Sequence, residues 1–247
     1  MTKTVLVTGA ARGIGREIIL KFATLGYNCV VNYNTSKSAA LELEKTLNKM
    51  GVNALTIKAD ISNETEVKNM VDLALKKFGK IDVLVNNSAT TFDSLFCDKN
   101  QTEFNKVLST NVTGTFLVSK YVGDVMHYNK YGKIINIAST NGINSYYPMC
   151  AEYDASKAAI ISLTHNLAVQ FAPFVTVNAV APGFVATENE IKDMDAEYIA
   201  AETEKIMVKR AGTPADVANL VAFLASDQAD FINNTVLRID GGTYGSC

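Results

Sequence analysis

TVLVTGAARGIG, residues 4–15, decides the fold, because it joins an apolar run to a glycine-rich turn and then to a helical pattern. The apolar run predicts a β-strand that stops at Gly9, and apolar residues at helical spacing follow from about Gly13 through Phe22 to Gly26. Glycine permits a tight turn and a close backbone approach, and the first turn of a helix offers free N–H groups to a pyrophosphate. The stretch therefore predicts the strand, turn and helix that open a dinucleotide-binding unit.

The same alternation of strand and helix continues to the end of the chain. Further strands are predicted near residues 29–33, 54–58, 81–86, 132–139, 175–180 and 235–239, and helices near 36–50, 62–78, 101–128, 151–171 and 215–225, with Ser62 as an N-cap. The 247 residues contain no internal repeat or linker-like segment and are enough for one large core. We therefore predict an α/β fold, a doubly wound parallel sheet in a single domain over residues 1–247.

Composition narrows the partner to a small molecule. The formal charge is −2 at pH 7 and no basic run is present, which argues against nucleic acid or an anionic membrane surface as a partner. The four cysteines have no metal-ligand spacing and suggest neither a metal site nor a disulfide framework. No apolar run reaches the ~18 residues of a membrane span, and no signal segment is evident at the N-terminus. We expect a soluble, cytoplasmic protein.

The end of the second predicted strand bears on cofactor choice. In nucleotide-binding units an acidic residue there holds the ribose 2′-hydroxyl of NAD, whereas a cation without that acid suits the 2′-phosphate of NADP. Here the strand ends in Asn32, Tyr33 and Asn34, and Arg12 and Lys37 can supply positive charge. The sequence therefore favours NADP(H) over NAD(H). The alternative is that both cations are solvated surface charges.

Polar side chains follow several of the predicted strands. Asp60, Asn87 and Ser139 each come at a strand's carboxyl end, where open α/β sheets bind their ligands. Asp60 is a candidate for hydrogen bonding to adenine; the alternative is a solvated or capping carboxylate. Asn111 lies inside a long predicted helix despite its modest helix propensity, which a tolerated mid-helix residue would also explain.

Tyr153 and Lys157 are four residues apart at the start of a predicted helix, so their side chains share one face. A nearby ammonium stabilises a phenolate, which makes the tyrosine a usable proton donor or acceptor closer to neutral pH. Taken alone, the pair also fits an ordinary contact on a helix surface.

Together the motifs resemble those of the short-chain dehydrogenase/reductase family, and the resemblance covers nearly the whole chain. They are Thr8-Gly9-x-x-x-Gly13-x-Gly15, Asn86-Asn87, Asn111, Ser139, Tyr153-x-x-x-Lys157 and Pro182-Gly183. The resemblance implies a Rossmann-type sheet of seven strands and hydride transfer between a nicotinamide cofactor and a carbonyl or alcohol. It implies that Tyr153 donates the proton, Ser139 holds the substrate oxygen, Lys157 binds the ribose and lowers the tyrosine pKa, and Asn111 positions a relay water. The expected cofactor contacts are Gly9, Arg12, Gly13, Ile14, Gly15, Asn32, Tyr33, Asp60, Ile61, Asn87, Tyr153, Lys157, Pro182, Gly183, Val185 and Thr187.

Two departures from the family pattern concern the predicted site. Ser88-Ala89 stands where the family commonly has Ala-Gly, so the backbone there is expected to approach the cofactor less closely. The segment between Ser139 and Tyr153 is one residue longer than usual and carries Tyr146, Tyr147, Met149 and Cys150, which we expect to line the substrate pocket. We interpret Cys150 as a small apolar wall residue; the alternative is a reactive thiol.

Within the family the chain most resembles the β-ketoacyl-acyl-carrier-protein reductases, which implies NADPH-dependent reduction of 3-ketoacyl thioesters in fatty-acid synthesis. Acyl carrier proteins are acidic and favour a basic rim, for which Lys120, Lys130 and Lys133 are the candidates. The alternatives are a reductase or dehydrogenase of a free small ketone, sugar or alcohol and, remotely, a non-catalytic cofactor-binding regulator. The resemblance implies a homodimer or homotetramer, and residues 185–209 are either a lid or a surface helix.

Overall fold

Seven parallel strands form one sheet in the order β3-β2-β1-β4-β5-β6-β7 in a computed structural model of the chain, which describes residues 2–144, 147–187 and 194–243. The strands are β1 Thr4–Val7, β2 Asn28–Tyr33, β3 Ala54–Lys58, β4 Val83–Asn86, β5 Gly132–Ile137, β6 Val175–Pro182 and β7 Val236–Ile239. The helices are α1 Gly13–Thr24, α2 Lys37–Lys49, α3 Glu64–Phe78, α4 Gln101–Leu108, α5 Gly114–Tyr128, α6 Ala151–Phe171, α7 Ala196–Glu204 and α8 Pro214–Leu224. The predicted doubly wound α/β fold with seven strands is confirmed.

Both faces of the sheet are covered by helices, because alternate residues of each strand point to opposite faces and both sets are apolar. Val5 and Val7 of β1 pack with apolar residues of α1, α2 and α8, whereas Leu6 packs with α3, α5 and the end of α6. Leu6 is in register with Val30 on one side and Leu84 on the other. All strands therefore end at the same edge, where the polar residues described below meet.

The long helix predicted over residues 101–128 contains an irregularity. A π-helical turn, Ser109–Thr113, separates α4 from α5, and Asn111 lies in its middle. Single π-turns are an insertion of about one residue into an α-helix and recur at functional sites. The apolar spacing gave the extent of the helical segment correctly but not this turn.

Several predicted boundaries differ from the structure by about two residues, among them those of α3 and β6. The N-cap of α3 is Asn63, whose side-chain oxygen accepts the N–H groups of Thr65 and Glu66 at 3.0 and 3.2 Å. Ser62 instead donates to Asp60. Strand β6 continues through Pro182, which is in register with Ile239, so it is two residues longer than the strand predicted near residues 175–180.

The described parts of the predicted lid, residues 185–187 and 194–209, include α7. Ile206 is buried and forms an isolated antiparallel bridge with Thr243, while the Tyr198 ring meets that of Phe184 at 6.5 Å between centroids. The C-terminal part of this segment is therefore packed against the body of the protein. Of the helices in the described residues, none has the length and apolar character needed to cross a membrane.

Candidate active site

The glycine turn after β1 has a backbone that only glycine adopts without strain. Gly9 and Gly13 have φ of +61° and +56°, in the left-handed region. A Cβ on Gly9 would lie 2.8 Å from Ser88 Oγ, and one on Gly15 would lie 2.5 Å from Asn87 Nδ2. The turn is thus pressed against the end of β4, and its open side faces the cleft described below.

Two asparagines hold this turn in place. Asn87 Nδ2 donates to the carbonyl oxygens of Thr8 and Gly9 at 2.9 and 3.2 Å. Asn32 accepts the Gly9 N–H at 3.2 Å and donates to the Ala59 carbonyl oxygen at 3.1 Å. Asn32 is only 1% exposed, so its side chain is occupied within the protein, and the predicted contact of this residue with a cofactor stays a prediction. Asn32 supports the turn from beneath.

A cleft of about 610 Å³ opens beside the glycine turn, within the size range of small-molecule sites. Nine of the predicted cofactor residues line it: Gly9, Arg12, Gly13, Ile14, Tyr33, Asp60, Ile61, Asn87 and Thr187. The other predicted contacts do not line it: Gly15, Asn32, Tyr153, Lys157, Pro182, Gly183 and Val185. Gly15 packs directly against Asn87 and the Gly9 carbonyl group. Val185 lines a separate cleft with Phe184 and Val208.

The charged groups of this cleft differ in part from those predicted. Arg12 lines the cleft but Lys37 does not, and Lys106 of α4 takes a place that the sequence analysis missed. Lys106 Nζ lies 3.8 Å from the Asp60 carboxylate, which also accepts the Ser62 N–H and hydroxyl at 2.9 and 2.6 Å. Although burial acts to raise the pKa of Asp60, these hydrogen bonds and the Lys106 charge hold it below its ordinary value. Asp60 is therefore an ionised hydrogen-bond acceptor in the cleft.

Tyr153 and Lys157 lie in the first turns of α6, as the spacing predicted. Lys157 is 3% exposed, its Nζ donates to the Ile137 carbonyl oxygen at 2.7 Å, and it lies 5.3 Å from the centroid of the Tyr153 ring. Burial lowers the pKa of Lys157 to about 8. The ammonium form still dominates at pH 7, so a positive charge is held beside the phenol where it stabilises the phenolate.

Ser139 follows β5 at the same edge of the sheet. It caps the short turn Thr140–Gly142, and its Oγ accepts the Asn141 N–H at 3.2 Å. The Ser139 side chain is 9% exposed, so it is largely screened from bulk water. Because β5 and α6 are adjacent in the fold, Ser139 and Tyr153 supply two hydroxyl groups at one edge of the sheet.

Asn111 joins three parts of the site. Its Oδ1 accepts the Thr90 N–H at 2.8 Å, and its Nδ2 donates to the Thr90 carbonyl oxygen at 3.0 Å and to Ser156 Oγ at 2.9 Å. Ser156 Oγ in turn donates to the Tyr153 carbonyl oxygen at 2.7 Å. Both amide hydrogens of Asn111 are thus used within the protein, and its side chain ties the segment after β4 to the tyrosine-bearing turn of α6.

The segment between Ser139 and Tyr153 is fastened to α6 by one carboxylate. Asp154 accepts Asn141 Nδ2 at 2.7 Å, the Tyr147 N–H at 3.1 Å and Cys150 Sγ at 3.4 Å. Burial, followed by the charge of Asp154, raises the pKa of Cys150 to about 12, so the thiol stays protonated. This favours the interpretation of Cys150 as an inert wall residue. Tyr146 lies outside the described residues.

Comparisons with known proteins agree with this arrangement. A family model described as Enoyl-(Acyl carrier protein) reductase matches residues 9–244. The chain is 40% identical to 3-oxoacyl-(acyl-carrier-protein) reductase FabG of Staphylococcus epidermidis, covering 99% of this chain and 100% of the relative. It is 35% identical to Glucose 1-dehydrogenase 2 of Bacillus subtilis, covering 97% and 94% of the two chains.

A solved structure, ElxO with NADP bound, superimposes with a TM-score of 0.89 at 33% identity and covers 98% of each chain. The sheet order, the glycine turn, the polar residues at the strand ends and the similarity over the full length thus lead to one conclusion. The chain belongs to the short-chain dehydrogenase/reductase family and is an NAD(P)-dependent oxidoreductase.

Proposed function

We propose that the protein uses NADPH to reduce the keto group of 3-oxoacyl thioesters, carried by acyl carrier protein, to a secondary alcohol in fatty-acid synthesis. The observation that carries the reaction type is the placement of Tyr153 over buried Lys157 at the sheet edge that also bears the glycine-turn cleft. The thioester as substrate is supported by 40% identity, over 247 residues, to a relative named as a 3-oxoacyl-(acyl-carrier-protein) reductase.

The described residues fit a dinucleotide. The glycine turn lines the cleft and is packed so closely on the end of β4 that a Cβ at Gly9 would collide with Ser88, and the cleft is large enough for a nucleotide. When bound, the nicotinamide supplies the hydride. We assign the contacts to the nine lining residues named above, and assign ribose binding to Tyr153 and Lys157. Pro182 ends β6, Gly183 and Val185 follow it at the same edge, and all three remain proposed contacts for the nicotinamide end.

In this mechanism the protein stabilises charge on the substrate oxygen. As the carbonyl carbon is reduced, negative charge develops on oxygen, and Tyr153 and Ser139 hold that oxygen with their hydroxyl groups. Tyr153 transfers its proton to the oxygen, and the Lys157 ammonium stabilises the phenolate that remains. We assign Asn111 two roles. Its side chain positions Tyr153 through Ser156, and its backbone in the π-turn holds a water that returns a proton.

Preference for NADPH over NADH is supported by the end of β2. Tyr33, Asn34, Thr35 and Ser36 line the cleft and none of them carries a carboxylate, while Arg12 lines the same cleft. A 2′-phosphate would meet a cation there rather than an acid. The neighbouring structure ElxO holds NADP, which agrees with this choice.

The basic surface open to an acidic carrier is smaller than the three predicted lysines suggest. Of the three lysines suggested for a basic rim, Lys133 must be excluded, because it is 3% exposed and its Nζ lies 2.6 Å from Asp230. Lys120 and Lys130 remain. The thin basic surface and the relative named Glucose 1-dehydrogenase 2 favour, as the second candidate, a reductase or dehydrogenase of a free small carbonyl or alcohol.

Assembly into a homodimer or homotetramer in the cytoplasm is part of the proposal. The outward faces of α5 and α6 expose Phe116 by 44% and Val169 by 75%, which suits burial against a second copy. Light scattering of the wild type should therefore give a mass of two or four chains. Closure of residues 185–209 over the substrate is also proposed, and protection of α7 from proteolysis on addition of NADPH and substrate would support it.

The proposal is tested by NADPH oxidation with a short 3-oxoacyl thioester, offered on pantetheine and on acyl carrier protein. Tyr153→Phe should lose about 10²- to 10⁴-fold in kcat, the usual contribution of a general acid. Tyr128→Phe is the matched control, because Tyr128 is 87% exposed and far along α5. Thioester that is inert with wild type, while small ketones are reduced, would move the assignment to the second candidate.

A separate comparison tests the cofactor. Arg12→Gln should raise the KM for NADPH about tenfold or more and leave the KM for NADH nearly unchanged, since a lost charge-assisted contact is worth about 1.5–3 kcal/mol. Arg16→Gln is the control, because Arg16 is exposed one turn further along α1 and does not line the cleft. Equal effects on both cofactors would contradict the 2′-phosphate assignment.

A further inference from the structure

A buried ion pair lies next to the proposed proton donor. Lys99 Nζ is 2.8 Å from Oε1 and 2.7 Å from Oε2 of Glu152, the residue immediately before Tyr153. The two side chains are 9% and 1% exposed. The roles assigned above to Ser139, Tyr153, Lys157 and Asn111 make no use of either residue.

Lys99 also organises the segment in which it lies, residues 87–100 between β4 and α4. Its Nζ donates to the Phe92 carbonyl oxygen at 2.9 Å and to Ser94 Oγ at 3.3 Å. Lys99 directly precedes Asn100, the N-cap of α4. The Lys99 ammonium therefore connects the middle of the segment, at Phe92 and Ser94, to the end of the segment. Its ion pair with Glu152 connects the segment to α6.

A second contact joins the same two regions. The Ser94 N–H donates to the Met149 carbonyl oxygen at 3.1 Å, just before α6 begins. At its other end the segment carries Ser88 and Thr90, which line the cleft, and Thr90 is bonded to Asn111. The segment is thus held at both ends, and its middle is fixed against the turn that carries the tyrosine.

Burial of the Lys99–Glu152 pair carries a desolvation cost, so net stability alone does not explain its presence. Removing two charges from water costs several kcal/mol per ion, and an apolar pair of similar volume is often as stable. The exposed pair Lys68–Glu64 on α3, 3.9 Å apart, carries no such cost. A buried pair is therefore weak evidence for net stability, whereas the further hydrogen bonds of Lys99 to Phe92 and Ser94 define a geometry.

We propose that Lys99 and Glu152 are positioning residues that fix the β4–α4 segment against the start of α6 and so set where the substrate lies beside Tyr153. The β4–α4 segment borders the proposed proton donor, because Ser94 is bonded to Met149 and Lys99 to Glu152, both just before Tyr153. Loosening this segment should weaken substrate binding while the chemical groups, held by Ile137, Asn141 and Asn111, stay in place. This inference rests on the proposed thioester reduction for its kinetic test only.

The test compares Lys99→Met, Glu152→Leu and the double variant with wild type. Lys99→Met leaves a buried carboxylate unpaired and should lower the Tm, whereas the double variant should recover most of the Tm. In the double variant the KM for thioester should stay raised roughly tenfold, the equivalent of one charge-assisted hydrogen bond, with the KM for NADPH changed less than about twofold. Lys99→Arg should restore the wild-type KM. Lys68→Met with Glu64→Gln is the control pair.

Hydrogen exchange provides a readout that does not depend on substrate. Amides of residues 91–98 should exchange about tenfold faster in the double variant, and those of α3 should not change. Wild-type exchange rates and a wild-type KM in the double variant would overturn the proposal. It would also be overturned if Tm, kcat, and kcat/KM for thioester and for NADPH all fell together, since that would show a general loss of structure. Should the double variant not fold, Lys99→Gln is judged by the same KM and exchange criteria. If wild type does not reduce the thioester, the proposed function fails and exchange alone decides this inference.

Discussion

Replacement of Asn32 by aspartate tests whether this residue, near the end of β2, contacts the cofactor or supports the glycine turn. An acid at the end of this strand is the feature that distinguishes NAD-binding units, so Asn32→Asp is the change that sequence reasoning recommends for switching the cofactor. The structure predicts another outcome. Asn32 is 1% exposed and its Nδ2 faces the carbonyl oxygens of Ala59 and Ile57 at 3.1 and 3.5 Å. An aspartate carboxylate would replace this donor by a second oxygen acceptor, buried against the two carbonyl oxygens.

The magnitude follows from the protonation of the new side chain. A buried carboxyl group that must donate to a carbonyl oxygen keeps its proton, and a rise in pKa of about two units from about 3.9 corresponds to about 2.7 kcal/mol. Because the folded pKa is the higher one, the unfolded chain releases its proton first. The variant therefore matches wild type in stability below about pH 4 and loses stability between about pH 4 and 6, with the full loss at pH 7.

The assay is urea unfolding of wild type and variant at pH 4.5, 6 and 7.5. Thr35→Asp is the matched control, because Thr35 is exposed and lines the cleft. It should change stability by less than about 0.5 kcal/mol and raise the KM for NADPH. A stability difference for Asn32→Asp that does not vary with pH, or a gain in NADH use without loss of stability, would refute the reasoning.

Three further predictions concern buried polar groups. For Lys157→Met, the stability of wild type relative to the variant should rise by about 1.4 kcal/mol per pH unit between about pH 8 and 10.5, since burial lowers the folded pKa of Lys157 to about 8; urea unfolding across that range that shows no change would contradict it. Among the cysteines of the described residues, exposed Cys97 should be alkylated at pH 7.5 well before Cys150, whose pKa burial raises to about 12, and peptide mass mapping after iodoacetamide gives the order. Asn111→Leu should destabilise the fold by about 2–6 kcal/mol, since both backbone groups of Thr90 lose their partner; thermal unfolding that matches wild type would show that water replaces the amide.

The fold could be predicted from the sequence because the spacing of apolar residues and the turn residues agree with the burial of each element in the sheet and helices. Buried parallel strands are continuously apolar and are separated by glycine turns and helical spacing, so most predicted elements agree with the structure to within a few residues. Helix α6 begins and ends at the predicted residues, Ala151 and Phe171. Ser62 was predicted as a cap because serine and asparagine are equally good N-caps, and only the backbone at Asn63 decides between them.

The errors at the site have a different cause, which is the direction of side chains across the sheet. Asn32 was predicted to contact the cofactor and Lys133 to belong to a basic rim, yet both side chains are buried against partners distant in sequence, Gly9 and Asp230. Lys106 reaches the cleft because α4 lies beside the end of β3, which no local pattern reports. The buried network of Asn86, Asn136, Ser119 and Thr164 went unnoticed for the same reason.

The π-turn Ser109–Thr113 has a consequence for the length of this part of the chain. One extra residue in a helix rotates everything after it by about 100°, so α4 and α5 present their apolar sides in different phases. Deleting any one residue of the turn would let a regular α-helix form and would rotate Leu117, Val118 and Val122 away from the sheet. The number of residues in the turn therefore sets which face of α5 packs on the sheet. Related sequences can replace its residues one for one, but a single-residue gap there would shift the register of the whole helix that follows.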